Sequence, residues 1–216
     1  MIVAQPERIA LHQQLVRYGG VLHGDVLDVG AGRFNRYRVC CPNVAFWRTL
    51  DPDPRWQADI IASAEAIPTP DASFDGVLCT QVLEHVAHPQ AVVREIFRVL
   101  KPGGVCLLTI PQWNELHEEP HDYFRYTKYG LRVLFEEAGF RVDVIDQRGK
   151  YHSVLAQTII RRWIDRYRPY ENRLARLFLV LPATLLTRWA LWRDNHSSHP
   201  ADAAHALGWC IVATKA

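Results

Sequence analysis

The chain has 216 residues, 49% of them hydrophobic, with 25 Lys/Arg against 23 Asp/Glu and a formal net charge of +2. That length is too short for several full domains and suits one domain with a modest addition, and the apolar share is enough for a full core. The near-neutral balance argues neither for nor against nucleic acid, but residues 148–193 hold ten Lys/Arg against only Asp165 and Glu171, leaving 15 basic and 21 acidic residues elsewhere.

Residues 5–18 pair apolar Ile9, Leu11, Leu15 and Val16 with polar Gln13, Gln14 and Arg17, a short helix stopped by Gly19-Gly20. No charged stretch followed by an apolar one precedes it, so no signal peptide is expected. Asp25–Gly30 reads as a first strand and Arg33–Cys41 as a short helix or turn stopped by Pro42. Phe46–Leu50 is a second strand, ended by Asp51-Pro52-Asp53-Pro54. Ala58–Ile61 is a short third strand and Gly76–Thr80 a buried fourth. Gln90–Leu100 is a helix, Lys101–Gly104 its stop and turn, and Val105–Ile110 a fifth strand. Thr127 is the expected N-cap of a helix reaching Ala138, with Gly139 its stop. Phe140–Asp146 alternates as a strand, and Gly208–Thr214 is the last.

Strands alternating with helices over 25–146 call for an α/β fold: a mostly parallel sheet of seven strands with helices on both faces. In such sheets ligands sit beyond the C-terminal strand ends. Asp28 to Gly32, Asp51, Thr80-Gln81 and Pro111-Gln112 fall there. The glycines of Val26-Leu27-Asp28-Val29-Gly30-Ala31-Gly32 suit a turn where a side chain would block close backbone approach to a ligand. A plain tight turn is the other reading of Gly-x-Gly alone.

Residues 151–204 interrupt the scheme as a helical insert before the last strand of a single domain spanning 1–216. Leu155, Ile159, Trp163 and Tyr167 form one helical stripe with Ala156, Ile160 and Ile164 beside it, while Gln157, Arg161, Arg162, Asp165 and Arg166 face away. Leu174–Trp192 is very apolar, but its charge-free core, Leu177–Thr187, is shorter than the ~20 residues of a spanning helix. The insert has three readings: a packed lid, a membrane-surface element through 153–193 with Trp163, Trp189, Trp192 and flanking arginines, or a dimer face. The oligomeric state is not legible. Five cysteines, three in strand-like runs and none in a Cys-x-x-Cys pair, read as reduced, mostly buried thiols of a cytoplasmic protein, peripheral on the inner membrane face under the second reading.

Downstream of the glycine turn, Asp51 ends strand two 23 residues past Asp28, a position that suits a carboxylate accepting ribose hydroxyls. Ser63-Ala64-Glu65-Ala66-Ile67-Pro68 then precedes Phe74-Asp75. Leu83-Glu84-His85-Val86 follows, and Glu95-Ile96-Phe97-Arg98-Val99-Leu100-Lys101-Pro102-Gly103-Gly104 completes the series. From Val26 to Phe140 this order and spacing resembles the class I S-adenosylmethionine-dependent methyltransferases, in the small group reading LD-x-G-x-G, AE-x-x-P, FD, LEH and E-x-x-RVLKPGG. The block from His117 through His121-Asp122-Tyr123-Phe124-Arg125-Tyr126 to Thr127 is similar to one in members acting on sugars or glycan intermediates.

The resemblance implies a Rossmann-like fold and S-adenosyl-L-methionine as cofactor. Gly30 and Gly32 would let the backbone approach its methionine part, Asp28 would orient its ammonium and Asp51 its ribose. Ala64, flanked by Ser63 and Glu65, would meet the adenine edge, and Thr80 and Gln81 would lie beside the methionine end. His85 would be a structural or cofactor-pocket group. Two positions depart from the pattern: Phe34 replaces a common third glycine, and Ser63 replaces a frequent aspartate.

Methyl transfer is largely a matter of alignment and water exclusion, but a hydroxyl or protonated amine acceptor also needs a base. His117, His121 and Asp122 are the candidates, following strand five. Inert loop histidines are the other reading. Tyr123 and Tyr126 are candidate walls for a substrate ring or core aromatics. Arg125 either holds an anionic substrate group or pairs with Glu118 or Glu119. No metal is expected, because the His117-x3-His121 pair sits in an aromatic block rather than on a helix. The expected activity is methyl transfer to O or N of a small-molecule or glycan-type acceptor. The alternative is a non-catalytic cofactor-binding or membrane adaptor, supported only by Phe34 and Ser63. A nicotinamide dehydrogenase lacks its later glycine here, and a nucleic-acid partner lacks a base-stacking module.

Overall fold

The structure, a computed structural model, describes residues 3–32 and 37–216. It divides into two compact units, one of residues 14–146 and 209–216, the other of residues 1–13 and 147–208. The expected insert is thus the larger part of a unit that also takes in the start of the chain.

Seven strands form one mixed sheet: β1 (His23–Val29), β2 (Asn43–Asp51), β3 (Ile60–Ile61), β4 (Phe74–Thr80), β5 (Leu100–Pro111), β6 (Phe140–Arg148) and β7 (Gly208–Lys215). Their order is β3-β2-β1-β4-β5-β7-β6. The pairs β1–β2, β1–β4, β2–β3 and β4–β5 are parallel. Strands buried on both faces need unbroken apolar runs, and Val26, Leu27, Val29, Val77, Leu78, Cys79, Leu107 and Leu108 supply them. All five cysteines are buried.

Register puts the strand ends level. Val29 pairs with Leu50 and Cys79, Leu50 with Ile60, and Cys79 with Leu108. One residue further on, Gly30, Asp51, Thr80 and Thr109 therefore stand along one edge. That edge is where parallel sheets bind ligands.

Helices α1 (Pro6–Tyr18), α2 (Pro89–Val99) and α3 (Lys128–Glu137) fall within two residues of expectation, and Thr127 caps α3 by accepting the Gly130 N–H at 3.2 Å. Lys101–Gly104 differs: these residues lie inside β5 as a bulge, with the register slipping between Phe74 and Gly76. The Lys101 ammonium donates to Asp75 Oδ1 at 2.8 Å, which holds the bulge against the sheet. Of the expected helix or turn over Arg33–Cys41, Arg38–Cys40 form a 3-10 turn. Phe34 lies outside the described residues.

The second unit contains α4 (Tyr151–Tyr167), α5 (Arg173–His196) and α6 (Pro200–Ala203). The inward face of α4 is rotated from the expected stripe. Val154, Ala156, Gln157, Ile160 and Ile164 are buried, while Leu155 and Tyr167 are exposed. Gln157 tolerates burial because its Oε1 accepts the Glu7 N–H and its amide reaches Gln5 Oε1. Val3, Ile160, Ile164 and Ala183 form this unit's core. The 24-residue α5 outruns its charge-free stretch and runs through Pro182, so it is long enough to cross a bilayer by length and composition.

Candidate active site

Backbone geometry at the end of β1 requires glycine. Gly30 has φ +69°, and a Cβ there would stand 2.3 Å from Val82 Cγ2. Gly32 has φ +60°, and no described residue beyond its chain neighbours comes within 4 Å of a Cβ placed there. Gly30 and Ala31 N–H groups donate to the Leu50 carbonyl at 2.8 and 3.2 Å, fastening the turn to β2. Asp51 completes it: Oδ2 accepts the Gly32 N–H and Oδ1 the Asp53 N–H, each at 2.9 Å. A carboxylate offers about four acceptor sites, so two remain for hydroxyls.

Asp28 is buried one residue inside the turn, and its Oδ1 has no hydrogen-bond partner among the described residues. Burial pushes its carboxyl up to about 8, the Asp51 carboxylate adds to the rise, and the Trp47 side chain opposes it. A cation placed there would relieve both the orphaned oxygen and the repulsion.

The stretch from Ser63 to Thr69 is held by the E-x-x-R pair of α2. Glu95 Oε2 accepts the Ile67 N–H at 2.7 Å, while Arg98 donates to the carbonyls of Ile67 and Thr69 at 2.7 and 2.8 Å. Two motifs 30 residues apart are therefore halves of one clamp. Within the loop Ala64 is buried, Ser63 Oγ accepts the Glu65 N–H at 3.2 Å, and Glu65 Oε1 accepts the His88 N–H at 3.3 Å. Ser63 is thus used locally. Thr80 is buried at the end of β4. Gln81 follows at φ +56°, its N–H donating to the Thr109 carbonyl at 2.9 Å.

The 117–127 loop docks on the Leu83–His85 turn. The Glu84 carbonyl accepts the N–H groups of Tyr123 and Phe124 at 2.7 and 3.3 Å. His85 Nδ1 donates to the His121 carbonyl at 2.6 Å. Trp209 on β7 donates its indole N–H to Gln112 Oε1 and the Tyr126 carbonyl at 2.8 and 3.0 Å. Glu84 and Trp209 were missed as anchors by the sequence reading. Glu84 was visible only as a letter in the LEH motif, and nothing local marked Trp209.

Asp122 organises the loop. It takes a forked pair of bonds from Arg125 at 2.6 and 2.7 Å and the His117 N–H at 3.1 Å. The Arg125 guanidinium holds its carboxyl down at about 2, well below the usual range. Arg125 also reaches the Phe124 and Glu115 carbonyls, so its partner is Asp122 rather than Glu118 or Glu119. His117 Nδ1 lies 3.0 Å from the Glu115 carbonyl and 3.4 Å from Asp122 Oδ2. A carbonyl only accepts, so the proton sits on Nδ1 and Nε2 carries the lone pair. The same argument gives His85 a basic Nε2, and the two rings meet edge to face with centroids 4.8 Å apart.

His121 is not part of that pair, its Nδ1 lying 3.0 Å from the Tyr123 hydroxyl. Tyr123 and Phe124 are exposed, with Tyr126 beside Phe124 at a centroid distance of 5.9 Å. Burial and Glu84 push the Tyr126 phenol up to about 12, which makes it no base near neutrality. Glu84, His85 and His117 also offer metal-ligand atoms within 4.8 Å of one another.

A family described as "Methyltransferase domain" matches residues 27–108. The chain carries a class I S-adenosylmethionine-dependent methyltransferase domain. Its cofactor is S-adenosyl-L-methionine, and the orphaned Asp28 oxygen and the remaining acceptor capacity of Asp51 fit that molecule. A probable S-adenosylmethionine-dependent methyltransferase of Mycolicibacterium smegmatis is 38% identical over 93 residues, 40% of this chain and 35% of that protein. A demethylmenaquinone methyltransferase of Symbiobacterium thermophilum is 30% identical over 121 residues, 55% of this chain and 44% of that protein. The matched stretch thus spans less than half the length of these curated relatives. In fold, the methyltransferase domain is similar to a Haemonchus contortus phosphoethanolamine N-methyltransferase 2 solved with phosphomonomethylethanolamine and S-adenosylhomocysteine. The TM-score is 0.59 at 17% identity, covering 98% of this chain and 54% of that one.

Proposed function

We propose that this chain transfers a methyl group from S-adenosyl-L-methionine to a hydroxyl on the ring of a small molecule, with His117 as the base. The observation that carries the reading is the 3.0 Å contact of His117 Nδ1 with the Glu115 carbonyl. The Nδ1 proton is held by the Glu115 carbonyl with Asp122 behind it, so Nε2 is left to take the acceptor's proton. The cofactor supplies the methyl group already activated on a sulfonium. Asp28 holds its ammonium, Asp51 its ribose, and Ala64 with Glu65 the adenine edge. Thr80 and Gln81 border the methionine end. Tyr123, Phe124 and Tyr126 offer an aromatic wall to a flat or sugar ring.

The relatives' names favour a quinol-type ring, and one of them, a ubiquinone biosynthesis O-methyltransferase, favours a hydroxyl on it. The loop's likeness to glycan-acting members favours a sugar ring. Arg125 supports the wall through Asp122. A cytoplasmic protein with peripheral contact to the inner membrane face through 153–193 completes the reading.

The test begins with calorimetry using S-adenosylmethionine and S-adenosylhomocysteine. Methyl transfer to quinols, sugars and amines is then compared. His117→Ala is expected to lower turnover of a hydroxyl acceptor at least about 100-fold while leaving cofactor affinity unchanged. Turnover of amines alone, or an unaffected variant, would remove His117 as base. Binding of neither cofactor form would leave only the adaptor reading.

A further inference from the structure

Helix α5 has two opposed faces. Ala183, Thr187, Ala190 and Asp194 are buried, and at 100° per residue they share about 60° of arc. That face is committed to its own unit. Thr187 Oγ1 donates to the Ala4 carbonyl, and Asp194 accepts the backbone N–H groups of Lys150, His152 and Ser153 at 2.7, 3.1 and 3.0 Å, closing the N-terminus of α4. The opposite side carries Leu174, Phe178, Leu181, Leu185, Trp189 and Trp192, each between 45% and 72% exposed. They form one row ~27 Å long. Single exposed apolar residues are ordinary on a protein surface, but a continuous row of this length is not.

Charge selects what covers it. Helix α5 contains Arg173, Arg176, Arg188 and Arg193, and Asp194, its one acidic residue, is buried. Only Arg188 and Arg193 border the row, about 60° and 80° from its centre, while Arg176 falls within the arc of the buried face and Arg173 beside it. With no acidic residue on the row's side, a second copy would leave these two bordering arginines, Arg188 and Arg193, unpaired. A leaflet of anionic phospholipid brings phosphates to the arginines and hydrocarbon to the row, and tryptophan suits the boundary between the two.

The buried face also decides between lying on and crossing the bilayer. The helix passes for a span by length and composition. A spanning helix meets lipid or other spanning helices on all sides, whereas Asp194 and Thr187 tie α5 to the backbone of its own unit. We propose that α5 lies in the plane of an anionic membrane surface, inserting the row from Leu174 to Trp192 among the headgroups and upper acyl chains. This deepens the peripheral contact named above and stands independently of methyl transfer.

The full chain is sedimented with vesicles of phosphatidylcholine alone or with three-tenths phosphatidylglycerol, in 50 and 500 mM salt. S-adenosylhomocysteine affinity is measured in parallel. Binding to the anionic vesicles at low salt is expected, at least tenfold weaker on neutral vesicles or at high salt. Phe178→Ser/Leu181→Ser/Leu185→Ser is expected to lower it at least tenfold at unchanged helicity. Arg188→Gln and Arg193→Gln are each expected to lower it roughly fivefold. If the triple variant misfolds, the arginine variants and quenching of tryptophan fluorescence by brominated lipid decide instead.

Absence of binding to anionic vesicles, binding indifferent to salt and to these substitutions, or resistance to alkaline carbonate extraction would overturn the proposal. So would a concentration-dependent dimer that the triple variant dissociates while the wild type ignores vesicles. Retained S-adenosylhomocysteine affinity without vesicle binding overturns this surface alone, and the reverse result overturns only the methyl-transfer reading.

Discussion

Asp28→Asn isolates the cost of burying a carboxyl beside Asp51. The Asp28 carboxyl is raised from its ordinary 3.8 to about 8, first by burial and then by Asp51. A carboxyl whose folded value is raised weakens the fold as pH climbs from 3.8 to about 8, because the unfolded chain loses the proton first. Each pH unit in that window costs about 1.4 kcal/mol, so the cost at pH 7 is on the order of 4 kcal/mol. Asparagine has the same shape and no proton to lose. Urea unfolding of wild type and variant at pH 5 and pH 8 is therefore expected to diverge, the variant gaining roughly 4 kcal/mol relative to wild type over that interval.

Cofactor binding moves the other way. An ammonium beside Asp28 favours the carboxylate, so binding expels a proton and wild-type affinity rises up to about tenfold per pH unit between pH 6 and 8. The variant binds more weakly and without that slope. Parallel stability curves for the two proteins across pH 5–8 would refute the reasoning, since Asp28 would then be ionised in the free protein.

Gly30→Ala places a Cβ 2.3 Å from Val82 Cγ2 at a φ of +69°, and is expected to cost about 1–3 kcal/mol with a marked loss of S-adenosylhomocysteine affinity by calorimetry. An unchanged affinity would mean that the turn relaxes freely. Asp122→Asn removes the group held down at about 2 by Arg125. A lowered carboxyl contributes stability that is full above 3.8 and lost as pH falls through 2, about 2 kcal/mol here, so the variant is expected to lose that amount at pH 7 but little near pH 2. It is also expected to lower turnover of hydroxyl acceptors by releasing His117, with cofactor affinity intact.

Much of the site was legible because its parts are local. A glycine turn after an apolar run and an acidic residue closing the next strand are properties of adjacent residues. The β5 bulge was read instead as a turn, because Lys-Pro-Gly-Gly carries turn chemistry and the pairing that keeps it in the strand, Leu100 with Phe74, reaches 26 residues back. The face of α4 was misplaced by one step because Gln157 counts as polar until Glu7 and Gln5 satisfy it.

By itself the sequence determined the alternation of strands and helices and the glycine turn after β1, which follow from periodicity and near-neighbour chemistry. Tertiary structure decided which of the candidate site residues act together. It joined Glu95 and Arg98 to the 63–69 loop and set His117 against Asp122 with Arg125 locked behind them. It also parted His121 from that pair and turned the apolar row of α5 outward. The physical reason is the same throughout: a hydrogen bond or a buried face is a relation between residues distant in the chain, and only folding brings both partners to one place.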